Sequence, residues 1–267
     1  MKPIICVTNQ KGGVGKTTTA EAVADGMRRR GCHVLAVDCD PQGSLTAVQS
    51  AYVADGTAST ADFIKGRPIV LAAGRQATVP AFEELAYVGQ ELATDGRPTE
   101  EDFRALGDAI HRAMDAFDLD ACVIDTHPDK DFCVVSALVA ATHVIIPTTP
   151  DRFGAEGVRQ TMDLISDVSE QFGTSWDIGA VVTLYKPFTR LHTTIADQLD
   201  TELPKAGVKV FRQRISNHVQ VAEAQAEGRS LYDTGRVLHG AAAQYDWLVD
   251  DIIDWIGARE TASCDVS

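Results

Sequence analysis

With 267 residues and 45% of them apolar, the chain is long enough to bury a substantial core as one domain. Its formal charge of −14 at pH 7 argues against a surface that is basic all over, the usual footprint of a nucleic-acid binder, and against attraction to anionic lipid. No apolar run reaches the length of a membrane span, no signal peptide is expected, and six cysteines without a C-x-x-C pair read as small buried side chains of a reducing compartment.

In chain order, residues 3–8 predict a short buried strand and Thr17 lies in the opening turn of a helix. Between them runs Gln10-Lys11-Gly12-Gly13-Val14-Gly15-Lys16-Thr17-Thr18. Strand, glycine-rich turn and helix form the setting in which main-chain amides and a helix N-terminus cradle phosphate. Gly12, Gly13 and Gly15 are expected to supply positive φ and close approach, Lys16 to reach the β- and γ-phosphates, and the Thr17 hydroxyl to ligate Mg²⁺. Gly12, Gly13, Val14, Gly15, Lys16, Thr17 and Thr18 are therefore the candidate nucleotide contacts. The usual pattern has a glycine where this chain has Gln10, and a second lysine, Lys11, stands five residues before Lys16.

The next strand, 33–38, ends in Asp38-Cys39-Asp40-Pro41-Gln42-Gly43. Two carboxylates one residue apart at a strand end repel each other unless a cation or a water-handling role offsets the cost. Residues 51–98, broken by Gly and Pro, predict short helices and one extra strand. Thereafter come helix 99–117, strand 121–125, helix 131–141, strand 142–147, helix 155–172, strand 179–184 and helix 190–203. Asp125, closing an apolar run, is placed at the carboxyl edge of a buried parallel strand, where it can hold the water shell of Mg²⁺. Apolar residues at 245, 248, 249, 252, 253 and 256 form a stripe read as core packing, not a lipid anchor. The alternation predicts an α/β fold, a doubly wound and mainly parallel sheet, which with the phosphate loop makes 1–258 a single P-loop domain, and 259–267 is expected to be a disordered acidic tail.

These motifs resemble the ParA/MinD family of deviant Walker A (SIMIBI-type) P-loop ATPases, and the ParA type in particular. The resemblance rests on Lys11 to Thr17, on the D-x-D-P-Q-G segment from Asp38, on the Walker B-like strand ending at Asp125, and on 144–150 followed by Gly154 and Gly157. It runs to about residue 240. It implies a slow, partner-stimulated Mg²⁺·ATP-dependent ATPase that closes a homodimer in the ATP state. In that scheme Lys11 crosses to the other subunit's phosphates, Asp40 positions the attacking water, and Asp38, Asp125 and Thr17 serve the metal. The implied role is partition: segregating a plasmid or chromosome through non-specific DNA binding, with a centromere-binding or adaptor protein triggering hydrolysis, in the cytoplasm on the nucleoid. A relative positioning a protein cargo without strong DNA binding, or a biosynthetic ligase of the same fold, are the alternatives. ATP is favoured over GTP because Asn9 and Asn217 are the chain's two asparagines and neither opens an N-K-x-D guanine motif.

Three departures from the family pattern stand out. His127 replaces a proline after Asp125 and is read as a tolerated surface residue that adds an imidazole. Ser216 replaces a proline on the adenine side. In the segment 215–224, two arginines of the family pattern are missing. Lys209, Arg212 and Arg214, just upstream, are the remaining DNA candidates, in a stretch whose eight cations and six acids are dispersed.

Overall fold

The apolar runs at 4–7, 34–37, 121–124 and 144–147 are continuous, the pattern of strands buried on both faces. In the computed structural model, which describes residues 2–72, 74–93, 95–234 and 240–264, they form the centre of one sheet. The chain runs β1 (Ile4–Val7), α1 (Lys16–Arg29), β2 (Val34–Cys39), α2 (Ser44–Val48), α3 (Thr60–Ile64), β3 (Ala77–Val79), α4 (Val88–Leu92), α5 (Glu100–Phe117) and β4 (Ala121–Thr126). It continues through α6 (Phe132–Ala140), β5 (His143–Thr148), α7 (Arg152–Phe172), β6 (Asp177–Val182), α8 (Arg190–Glu202), β7 (Lys209–Val210), α9 (Val219–Ala226) and α10 (Ala241–Cys264). The sheet order is β3-β2-β4-β1-β5-β6-β7, and every pair is parallel.

Successive side chains of a strand point to opposite faces, so each central strand feeds two cores. Ile4, Cys6, Leu35, Val37, Cys122 and Ile124 pack with α3, α5, α6 and α7 on one side. Ile5, Val7, Val34, Ala36, Ala121 and Val123 pack with α1 and α10 on the other. The expected stripe of α10 lies in that second core, with Tyr245, Leu248, Val249 and Ile252 buried and Ile253 and Ile256 partly so. Cys6, Cys39, Cys122 and Cys133 are free and buried, and burial pushes their thiols up, so they behave as small apolar groups.

The extra strand expected in 51–98 is β3, at one edge. The opposite edge, β7, is only two residues long, too short to carry a periodicity. The backbone of α10 continues as helix to Cys264, past the boundary expected for a tail at 259, and 265–267 lie outside the described residues.

The α1 face also carries buried charge. Asp25 pairs with Arg28 at 2.9 Å and accepts from Gln49 and Ser230. Glu21 accepts from the Leu231 amide at 2.9 Å and from Ser230 at 2.8 Å. This network fastens the segment after α9 onto α1.

Connectivity sets the position of the site. Helix α1 carries the chain from β1 past β4 to β2, while α6 carries it from β4 past β1 to β5. The loops after β1, β2 and β4 therefore part at the carboxyl edge, where open α/β sheets bind ligands.

Candidate nucleotide site

A cleft of about 610 Å³ opens at that edge, lined among others by Gly12, Gly13, Lys16, Thr17, Asp40 and Pro128. Its floor is the loop from β1 into α1. Gly13 and Gly15 adopt φ of 71° and 84°, so a side chain at either would be strained. Gly12 does not have positive φ, contrary to expectation, and a Cβ there would meet no protein atom within 4 Å. Gly15 caps α1 without a side-chain bond, which leaves the first helical amides directed at the cleft. Val14 is buried; its carbonyl accepts from Thr183 at 2.7 Å, which fixes the loop to the end of β6. Thr18 accepts from Gln225 at 2.6 Å, tying the loop to α9 on the opposite wall.

The Lys16 ammonium is nearly buried and reaches the Lys11 carbonyl at 3.2 Å. Burial pulls its pKa down, against the opposing pull of Asp125, Asp40 and Asp129. Lys11 points elsewhere: its ammonium rests on Asp151 at 3.0 Å and Thr149 at 2.9 Å, beside the Phe153 ring. Although burial raises Asp151, hydrogen bonds led by that from Lys11 hold its carboxyl below the ordinary carboxylate range. Gly157 makes this packing possible, since a Cβ on it would lie 2.8 Å from Asn9 Oδ1 and 2.9 Å from Lys11 Cβ.

Asp38 and Asp125 sit side by side in the β2–β4 register, both fully buried. Their surroundings differ. Asp38 accepts from the Thr46 amide at 2.8 Å, the Thr46 hydroxyl at 2.7 Å and the Asp40 amide at 3.1 Å. Burial pushes its carboxyl up to about 6 while these bonds hold it back. Neither oxygen of Asp125 has a hydrogen-bond partner of acceptable geometry, although the Thr17 hydroxyl lies near enough to favour the charged form. Burial first and the Asp38 charge second raise Asp125 well above its ordinary value. The Thr8 and Thr148 hydroxyls, at the ends of β1 and β5, are also buried without partners. A buried carboxylate with bare oxygens next to a lysine and a threonine hydroxyl fits a hydrated divalent cation. Asp40 is only partly buried and one of its oxygens accepts from the Gln42 amide at 2.9 Å.

His127 is not a surface residue: it is 7% exposed. Its Nδ1 lies 3.0 Å from the Cys39 carbonyl and its Nε2 3.0 Å from Asp131. Burial lowers its pKa, but the Asp131 carboxylate and the Cys39 carbonyl outweigh that and push it up to about 9. The sequence offers one hint of this, an aspartate four residues on; the Cys39 carbonyl comes from another strand and leaves no signal.

The DNA candidates are not equivalent. Arg214 is held by Asp197 at 2.9 Å and Asp200 at 2.6 Å, and Lys209 lies over the Phe211 and Trp255 rings. Arg212 is exposed. Near the cleft, Ile215 is buried and the Ser216 amide donates to Gln244. No helix among the described residues is long and apolar enough to cross a membrane.

The profile of the AAA domain family matches residues 2–178. The chain is 30% identical over 253 residues to the chromosome-partitioning ATPase Soj of Thermus thermophilus, covering 93% of this chain and 94% of that protein. It is also 30% identical to the chromosome partitioning protein ParA of Caulobacter vibrioides, over 86% of this chain and 87% of the other. Among solved structures, apo McdA from Cyanothece superposes with a TM-score of 0.78 at 19% identity, covering 94% of this chain and 99% of that one. A cobyrinic acid a,c-diamide synthase from Mycobacterium smegmatis, bound to an ATP analogue and magnesium, gives 0.70 at 26% identity over 88% and 98%.

Proposed function

The chain belongs to the ParA family of deviant Walker A ATPases, and from that premise we propose that it is a Mg²⁺·ATP-driven dimerising switch that rides on DNA. The bare Asp125 carboxylate beneath the phosphate loop is the observation that carries the reading. The loop amides and Lys16 bind the β- and γ-phosphates, and α9 with Asn217 and His218 walls the base side. The Thr17 hydroxyl and the Asp125 carboxylate would hold the cation, with Asp38 beside them also keeping the loop after β2 in place. When bound, Mg²⁺ supplies positive charge against the phosphate oxygens. Asp40, at the cleft wall, orients the attacking water.

Lys11 completes the switch. It sits on the loop leading into α7, on Asp151 and Thr149 and off its own phosphate site. Released from them, it is free to cross to the nucleotide of a second subunit, which makes hydrolysis depend on dimerisation. The closed dimer doubles whatever cationic surface each subunit presents near Arg212 and Lys209. Arg214 is committed to Asp197 and Asp200 and contributes little to that surface. The setting is the cytoplasm, on the nucleoid, with a centromere-binding or adaptor protein as the stimulating partner.

Co-sedimentation with DNA in the presence of ATP, ADP or no nucleotide, at several salt concentrations, tests this. ATP-dependent binding that persists in Asp40→Ala and falls steeply with salt is the expected result. An ATP-dependent dimer that ignores DNA in every state would overturn DNA binding and leave a switch that positions a protein cargo.

A further inference from the structure

The family pattern implies a proline where this chain has His127, and proline offers no side-chain donor. The histidine uses both ring nitrogens. Nδ1 reaches back across the sheet to the carbonyl of Cys39, the last residue of β2, at 3.0 Å. Nε2 meets Asp131 Oδ2 at 3.0 Å, and the other oxygen of Asp131 accepts from the Val134 amide to cap α6. Cys39 pairs in register with Thr126, the residue before His127, and Thr126 is itself pinned to the Val7 carbonyl at 3.0 Å. One buried side chain thus joins the end of β2, the loop after β4 and the start of α6. Asp40 follows Cys39 directly, and Pro128 follows His127 directly; both line the cleft.

The geometry points to His127 as a positioning residue for hydrolysis: by holding the Cys39 carbonyl and Asp131 together, it fixes where the backbone presents Asp40 relative to Asp125. A proline at this position could make neither contact. Here the two loops are tied beyond the strand ladder, so the water-orienting carboxylate and the cation-side carboxylate move as one unit. The inference rests on the reading of Asp40 given above. It adds a requirement of this chain's own, met by a residue whose two ring nitrogens face the Cys39 carbonyl and Asp131.

The two contacts can be separated by substitution. In His127→Asn the amide keeps a donor near the Nδ1 position and holds Cys39; in His127→Gln the longer side chain reaches the Nε2 position and holds Asp131. We would measure steady-state hydrolysis, affinity for a fluorescent ATP analogue, and amide exchange over 39–46 for His127→Ala, His127→Asn, His127→Gln and Asp40→Ala. His127→Ala is expected to lose about tenfold or more in kcat with analogue affinity little changed, because a small displacement of a catalytic group is costly to rate. Faster exchange of the Asp40 and Gln42 amides should accompany it. His127→Asn should recover more of the rate than His127→Gln, an order that a merely structural role would not produce. Unchanged kcat in His127→Ala beside an inactive Asp40→Ala would overturn the positioning role alone. A fully active Asp40→Ala would instead overturn the reading of the site beneath it. Should His127→Ala fail to fold, equal rates for the asparagine and glutamine variants would also defeat the proposal.

Discussion

The loops after β2 and after β4 leave the sheet side by side, each starting from a fully buried aspartate, yet they solve the burial of that charge in opposite ways. The β2 loop closes on itself: Asp38 takes both donors of Thr46 and the Asp40 amide, so the loop is complete without a ligand. The β4 loop leaves Asp125 with bare oxygens among β1, α1 and β2. On the proposed reading, two residues of the same type in the same register therefore have different work. Asp38 chiefly holds the loop in place beside the cation, and Asp125 awaits a partner from outside the chain. The cost of an unsatisfied buried carboxylate is tolerated where a ligand removes it.

Substitution by asparagine breaks the two apart. The largest effect is expected on turnover: Asp125→Asn should reduce ATP hydrolysis by about a hundredfold or more, measured at saturating Mg²⁺ and ATP, because charge next to the transferring phosphoryl is lost. Asp38→Asn should act first on the fold. An amide cannot accept from Thr46 and Asp40 with both of its heavy atoms, so urea denaturation without nucleotide should show a loss of about 1–3 kcal/mol. Stability equal to wild type would break the comparison.

A third buried carboxylate sharpens it with a smaller effect. Glu21, on α1, accepts from Leu231 and Ser230, but burial and the nearby Asp25 push it up to about 8. From about its unperturbed pKa up to about 8 the unfolded chain has released this proton while the folded chain keeps it, so stability falls as pH rises through that window. Glu21→Gln should flatten the slope between pH 5 and pH 8, read by denaturation across that window. An unaltered pH profile would show that Glu21 does not contribute to it.

The sheet was legible in the sequence wherever strands are buried on both faces, since two-sided burial in a parallel sheet demands continuous apolar runs such as those at 4–7, 34–37, 121–124 and 144–147. The phosphate loop was legible because its offsets are local. The edges were legible only in part: an extra strand was expected within 51–98, but β3 has three residues and β7 two, too few for periodicity to place them. What the sequence could not carry were side-chain partnerships across strands. Thr46 lies eight residues from Asp38, Asp151 lies far from Lys11, and His127 finds Cys39 only through the β2–β4 register. Arg214 is a free cation in the linear sequence, whereas in the fold Asp197 and Asp200, on the neighbouring α8, hold it. Motif offsets report backbone chemistry well, but they do not report which carboxylate is already satisfied.

Denaturant stability of wild type and Asp125→Asn at pH 8, each without ligand and with Mg²⁺·ATP, tests the central claim most directly. The account predicts that Asp125→Asn is the more stable protein without ligand, by about 1–3 kcal/mol, and gains little from adding Mg²⁺ to ATP, whereas wild type gains strongly. An unliganded Asp125→Asn less stable than wild type, or stabilised by Mg²⁺ as much as wild type, would contradict it.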